Sequence, residues 1–249
     1  MKTTPQLLNS EASSKGTPSN LPPLGEASTP SKDSFSSKSE ASPSGGRLEG
    51  ASSLGRLEGA PIGILGGTFN PIHNGHIRLA KRLLKEVHLQ EIWMMVSPQN
   101  PFKINQELLD DNLRLEMVRQ ALAKETRLIA CDYEFHLPKP SYTWHTLQAL
   151  SKDYPQNKFV LIIGSDNWNQ FKKWFAYEKI LANYQIVVYP RRGDQINASS
   201  LPPNVSLLKH RMINISSTEV RRRVRTGEPI DKLVPPAVKE MIDSHQLYL

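Results

Sequence analysis

The chain has 249 residues, a net charge of +7 at neutral pH, and a single cysteine. It contains no run near the ~18 apolar residues of a membrane helix, and one cysteine cannot form an internal disulfide, so a soluble, cytoplasmic protein in a reducing setting is expected. The basic excess points to an anionic partner, either nucleic acid or a phosphorylated small molecule.

Residues 1–60 are dominated by Ser, Pro, Gly, Thr and Ala, with Phe35 the only aromatic, and they carry "GRLEGA" at both Gly46–Ala51 and Gly55–Ala60. Such a segment buries too little apolar surface to offset its ordering entropy, which predicts a disordered, low-complexity tail. Two copies are too few for a solenoid. No apolar stretch follows Met1 as a secretory signal requires, and six acids against six bases argue against an organelle transit peptide. That balance leaves the whole +7 in residues 61–249, the expected folded domain.

From Pro61 onward, apolar runs alternate with helical periodicity. "IGIL" (Ile62–Leu65) reads as a short buried strand. Ile77, Ala80, Leu83, Leu84 and Val87 then recur at helical spacing. "EIWMMV" (Glu91–Val96) is a second strand, with Trp93 in the core. Asp111 is placed to cap a helix bearing Leu113, Met117, Val118, Ala121 and Leu122. "RLIAC" is a third strand, with Cys131 a small buried hydrophobe rather than a nucleophile. "SYTWHTLQALSKDY" is helical, and "KFVLIIG" (Lys158–Gly164) is apolar throughout, as a strand covered on both faces tends to be. "YQIVVYP" and the weaker "VSLLKH" follow, then two short C-terminal helices. This alternation predicts an α/β fold with a Rossmann-like parallel sheet and helices on both faces. Ligands of such folds sit beyond the carboxyl ends of the strands, near a topological switch point.

The stretch that follows the first strand, "GGTFNPIHNGH" (Gly66–His76), carries chemistry. Gly66 and Gly67 permit a sharp turn and a close backbone approach, and Pro71 biases Asn70 away from helix. Gly75 and His76 then open a helix whose free N–H groups and positive dipole end attract anions. His73 and His76, one turn apart, face the same side. H-x-x-H could be half a metal site, but no Cys or acid has matching spacing, and no G-K-[ST] follows as in a Walker loop. Near the other end lies "ISSTEVRRRVRTG". Ser216 with Glu219 makes a capping box for a helix ending by Gly227, and a charged run such as Arg222, Arg223 and Arg225 is ordinarily a solvated face.

The first stretch resembles the G-x-[FT]-[DN]-P-x-H-x-G-H signature of nucleotidyltransferases that join ATP to a small phosphorylated acceptor. "ISST" with Arg221 resembles the I-S-S-T-x-x-R motif of the same superfamily. The resemblance implies that Gly66, Gly67, Thr68 and Phe69 form the ATP loop. It implies that His73 and His76 hold the phosphates and stabilise the transition state, as the catalytic pair. Ser216 and Arg221 would meet the β and γ phosphates. Three further stretches resemble the nicotinate-nucleotide adenylyltransferases in particular. "PSYT" (Pro140–Thr143) implies that Thr143 touches the nicotinate end of the acceptor. "IIGSDNWNQFKKWF" implies Gly164 and Asp166 near the ATP ribose and Trp174 packed on the pyridine ring. "VVYPRRG" implies an arginine for the acceptor's phosphate or carboxylate, either Arg191 or Arg192, with Arg191 favoured. The family's P-P-H-[KR] after the second strand reads here "SPQNPFK": Lys103 keeps the cation and is an expected ATP ligand, while Phe102 replaces the histidine. The likeness runs from Ile62 to Tyr248.

The implied reaction is ATP plus nicotinate mononucleotide giving deamido-NAD and pyrophosphate. The acceptor phosphate is already an anionic nucleophile, so positioning and charge stabilisation suffice. Mg²⁺ would ride on the ATP phosphates, with no protein metal ligands expected. Nicotinamide mononucleotide and phosphopantetheine are the rival acceptors; "PSYT" and Trp174 favour a pyridine nucleotide. A nucleic-acid-binding module is disfavoured, because no aromatic-basic motif for stacking bases is present. No membrane partner is expected, and self-association is left open.

Overall fold

The computed structural model describes residues 59–98, 108–191, 196–209 and 215–249; the expectation of a disordered tail over residues 1–60 falls outside these except at Gly59 and Ala60. Six strands form one sheet: β1 (Ile62–Gly67), β2 (Glu91–Val96), β3 (Leu128–Cys131), β4 (Phe159–Gly164), β5 (Gln185–Tyr189) and β6 (Val205–Leu207). Every pairing is parallel, in the order β3-β2-β1-β4-β5-β6. Between them run α1 (Asn74–Glu86), α2 (Asp111–Leu122), α3 (Thr143–Asp153), α4 (Ser165–Asn169) and α5 (Tyr177–Asn183), followed by α6 (Ser217–Arg225) and α7 (Pro236–Ser244). The α/β, Rossmann-like expectation holds.

Both faces of the sheet are covered, which is why the strands read as unbroken apolar runs. Leu65, Ile92, Met94, Val96, Val160 and Ile162 face one core with α1, α2, α6 and α7. Ile62, Ile64, Trp93, Met95, Leu161 and Ile163 face the other, with α3 and α5. Successive residues of a strand point to opposite faces, so each strand feeds both layers. Trp93 and Cys131 are core residues, 2% and 1% exposed, and burial raises the Cys131 thiol to about 12.

The registers show where the sheet opens. β1 pairs with β2 along its whole length, from Ile62 opposite Glu91 to Gly67 opposite Val96. Against β4 its ladder ends at Leu65 opposite Ile162, although β1 continues to Gly67 and β4 to Gly164. The carboxyl ends of β1 and β4 therefore part, and this is also where the strand order reverses, the crevice in which such folds take ligands.

Local boundaries depart from expectation in instructive ways. Gly66 and Gly67 belong to β1 rather than to the turn; the turn falls at Thr68–Pro71, with the left-handed backbone at Phe69 (φ 43°). Helix α1 starts at Asn74 with His73 as its cap, one residue before the glycine expected to open it. The cap of α2 is Asp110, not Asp111: its Oδ1 accepts from Asn112 N (2.9 Å) and Leu113 N (3.1 Å), freeing Asp111 for an arginine in the first turn. Helix α3 begins at Thr143 because Tyr142 is still extended (φ −102°, ψ 131°). No helix among the described residues is long and apolar enough to cross a membrane.

Candidate functional site

The two histidines of the H-x-G-H string cap α1 with each other. His73 Nδ1 accepts from the His76 backbone N–H, and His76 Nδ1 accepts from the His73 backbone N–H, both at 3.3 Å. The rings stack with centroids 3.6 Å apart and planes 15° from parallel. With both Nδ1 atoms accepting, this hydrogen-bond pattern assigns the proton of each neutral ring to Nε2. Burial, then the charge of Arg191, lowers His73 from 6.5 to about 4. Burial, then His73 and Arg191, holds His76 well below its ordinary value. Near pH 7 the pair is thus a set of neutral N–H donors at a helix N-terminus.

Glycine is needed between them. A Cβ on Gly75 would lie 2.9 Å from His73 Nδ1 and 3.3 Å from Ile215 Cβ, so a side chain would push away both the ring and the I-S-S-T segment. Gly67 lies under the Phe69 ring, whose Cζ would be 3.1 Å from an added Cβ, and that ring meets His76 edge-on at 5.0 Å. Gly66 differs. It is exposed, and the nearest protein atom to an added Cβ is Ser97 Oγ at 4.0 Å, so at the mouth of the crevice the chain itself does not demand the glycine. Close approach by a ligand to the backbone there would.

The second motif, about 140 residues away in sequence, packs onto the first. Ser217 Oγ donates to Pro71 O (2.9 Å), and Arg221 Nη1 donates to Asn70 O (2.7 Å). Ser216 caps α6, accepting from Glu219 N at 3.1 Å. The capping box is one-sided, because the Glu219 carboxylate takes Arg222 and Arg223 instead, and these two hold it down to about 2. Arg222 also reaches Glu228, so Arg222 and Arg223 pin the end of α6 to the next turn. Arg221 alone of the run faces the Asn70–Pro71 loop in these bonds.

At the ends of β4 and β5, an added Cβ on Gly164 would collide with Asp166 Oδ1 and lie 2.7 Å from Arg191 Nε. Arg191 Nη1 donates to Asp166 Oδ2 (3.1 Å), and its Nη2 donates to Tyr189 Oη (2.9 Å). Its charge lowers both histidines, and Arg191 stands at the carboxyl ends of β4 and β5 beside Asp166. Thr143 opens α3 next to an aromatic trio in which Phe175 lies 5.1 Å from both Tyr142 and His145. Trp174 packs on Phe171 at 5.4 Å, and Phe171 stacks on Trp168 at 5.1 Å. The indole Nε1 of Trp174, Ser141 Oγ, Glu134 Oε2 and, beside Gly164, Asp166 Oδ1 are buried with no hydrogen-bond partner among the described residues. Lys103, Phe102 and Arg192 lie outside the described residues. Among those described, no group of three or more His, Cys, Asp and Glu could hold a metal ion.

Two residues with a claim on the site escaped the sequence reading. Arg114 is fully buried, and Tyr248 donates to Asn70 Oδ1 at 2.9 Å. Arg114 had left a trace, since it lies three and four residues before Met117 and Val118 on the buried face of α2. Tyr248 left none.

With this geometry in view, the chain's relatives fall into place. A family model described as cytidylyltransferase-like matches residues 64–223. Among curated proteins, one from Bacteroides fragilis is 47% identical over 72% of this chain and 90% of its own length, and one from Cytophaga hutchinsonii is 44% identical over 75% and 97%; both carry the name "Probable nicotinate-nucleotide adenylyltransferase". Among solved structures, the Plasmodium falciparum nicotinic acid mononucleotide adenylyltransferase complexed with NaAD superposes with a TM-score of 0.66 at 22% identity, over 76% of this chain and 97% of that one, a likeness of fold. The chain belongs to the cytidylyltransferase-like family and, within it, to the nicotinate-nucleotide adenylyltransferases.

Proposed function

We propose that the protein transfers the adenylyl group of ATP to nicotinate mononucleotide, giving deamido-NAD and pyrophosphate, a step of NAD biosynthesis. The observation that carries this reading is the meeting, at the β1/β4 switch point, of the stacked histidines that cap α1 and the start of α6. In this scheme Gly66, Gly67, Thr68 and Phe69 bring backbone to the triphosphate, while Nε2–H of His73 and His76 donate to its oxygens. Ser216, Arg221 and Lys103 meet the outer phosphates, and Gly164 and Asp166 lie by the ribose. A phosphate oxygen of the acceptor attacks the α-phosphorus; the bond from that phosphorus to the bridging oxygen breaks, and pyrophosphate leaves. No proton need be removed from the nucleophile, so neutral donors that strengthen their bonds as charge builds are sufficient. Thr143, Trp174 and Arg191 are assigned to the acceptor.

Nucleotidyltransferases generally use a divalent cation. The described donors suit phosphate oxygens rather than a cation, so Mg²⁺ is assigned to the ATP phosphates and no step is routed through it. The test is pyrophosphate release by the full chain with ATP, Mg²⁺ and, in turn, nicotinate mononucleotide, nicotinamide mononucleotide and phosphopantetheine. Strong preference for the acid supports the proposal; equal or reversed preference keeps adenylyl transfer and removes the acid. Release only with phosphopantetheine, or with none of the three, overturns it.

A further inference from the structure

Behind the signature loop, on the side of the α2 and α7 helices, stands a set of polar groups that the proposed reaction does not use. Arg114 is 0% exposed. Its Nη1 donates to Thr68 O and to Ser97 O (3.1 Å), its Nε to Leu109 O (3.1 Å), and its Nη2 to Asp111 Oδ1. One buried guanidinium thus ties the turn after β1 to the end of β2 and the start of α2. From the opposite end of the sequence, Tyr248 Oη donates to the side chain of Asn70, itself 3% exposed. The C-terminal region holds the start of α1 as well, since Asn74 N donates to Leu233 O (2.8 Å) and Asn74 Nδ2 to Lys232 O (3.1 Å).

Between the two anchored residues lies Phe69, a bulky side chain on left-handed backbone. Such a conformation is unfavourable for a bulky side chain and persists only where the surroundings over-determine it. Arg114 grips the residue before it and Tyr248 the residue after it. Phe69 in turn presses edge-on against His76. We propose that Arg114 and Tyr248 are positioning residues for adenylyl transfer: they hold the Thr68–Asn70 turn so that Phe69 seats His76. Neither touches substrate in this scheme, and the hydroxyl of Tyr248 acts through Asn70.

The inference rests on the proposed reaction, so the wild-type full chain must first release pyrophosphate with ATP and nicotinate mononucleotide; failure there defeats the reaction rather than the brace. Tyr248→Phe removes one hydroxyl and little else. We expect kcat/KM for ATP to fall about tenfold, with KM for the acceptor within about twofold of wild type and a nearly unchanged melting temperature. In an Asn70→Ala background the same substitution should cost less than about twofold, because its partner is gone, whereas Asn70→Asp, which keeps an oxygen opposite the hydroxyl, should retain the tenfold loss. Arg114→Lys keeps charge but loses the fork, and should lower kcat/KM further. Wild-type kinetics in Tyr248→Phe overturns the proposal. So does a loss undiminished beside Asn70→Ala, or a lowered melting temperature with unaltered kcat/KM. If Asn70→Ala or Arg114→Lys does not fold, Tyr248→Phe with Asn70→Asp still decides the matter.

Discussion

At the β1/β4 crevice, every histidine nitrogen on the protein side has a backbone partner, the two rings are stacked, and the loop beneath them is tied at Thr68, Asn70 and Pro71. Around Thr143 and Trp174 the chemistry is left open: Trp174 Nε1 and Ser141 Oγ are buried without partners among the described residues, and Phe175 is 51% exposed. A fully paired polar network is rigid and presents its outward donors with little reorganisation, whereas an unpaired buried polar group raises the energy of the free protein until something meets it. In the proposed scheme the first region is the more fully paired, with Asp166 Oδ1 at its rim the exception, and the second leaves more for the acceptor to meet.

The comparison can be broken most decisively at His76. His76→Ala should lower kcat by on the order of 10²–10³ while circular dichroism shows the fold retained, since one preorganised donor is lost. A near-normal rate would remove the histidine pair from the mechanism. Next in size is the response to acid. Folding moves His73 from 6.5 down to about 4, so between those values the unfolded chain takes up a proton that the folded chain does not. Stability from this group is therefore complete above about pH 6.5 and falls as pH is lowered toward 4, by on the order of 3 kcal/mol. Melting curves from pH 7 to 4.5 should show a decline that His73→Gln reduces; identical slopes would mean that the imidazole is not held neutral. At the other region, Trp174→Phe should raise KM for the acceptor about tenfold and leave KM for ATP within about twofold, because the indole is assigned to one substrate only. Equal changes for both substrates would erase the distinction between the regions. The smallest effect is expected at Arg225, an exposed member of the α6 arginine run. Arg225→Ala should leave kcat/KM within about twofold, and a large loss would bring this residue into the phosphate site.

Much of the architecture was legible because burial on both faces writes itself as composition. "KFVLIIG" needs no alternation when helices cover both sides, and the spacing of Ile77, Ala80, Leu83 and Leu84 marks the core face of α1 unambiguously. The chemistry-bearing strings were legible for a similar reason: glycine where a side chain would collide, and donors where a helix begins. What stayed hidden were choices between near-equivalent neighbours. Asp110 and Asp111 are equally good caps in sequence, and only the position of buried Arg114 assigns one to the helix and the other to the arginine. His73 as a cap was hidden too, because imidazole is an unusual capping group and its use depends on its partner three residues on.

The sequence by itself determined the parallel α/β fold, which depends on local pattern and composition, and pointed to the family and its triphosphate ligands through the resemblance of its motifs. The tertiary structure decided which residues act together. It brought I-S-S-T-x-x-R against Asn70 and Pro71, set Arg191 beside Asp166 where its charge lowers both histidines, and carried Tyr248 back across 178 positions to the signature loop. Those pairings arise from strand order and packing, which place distant segments at the carboxyl ends of the central strands by burying apolar surface and leave no mark on the spacing of residues along the chain.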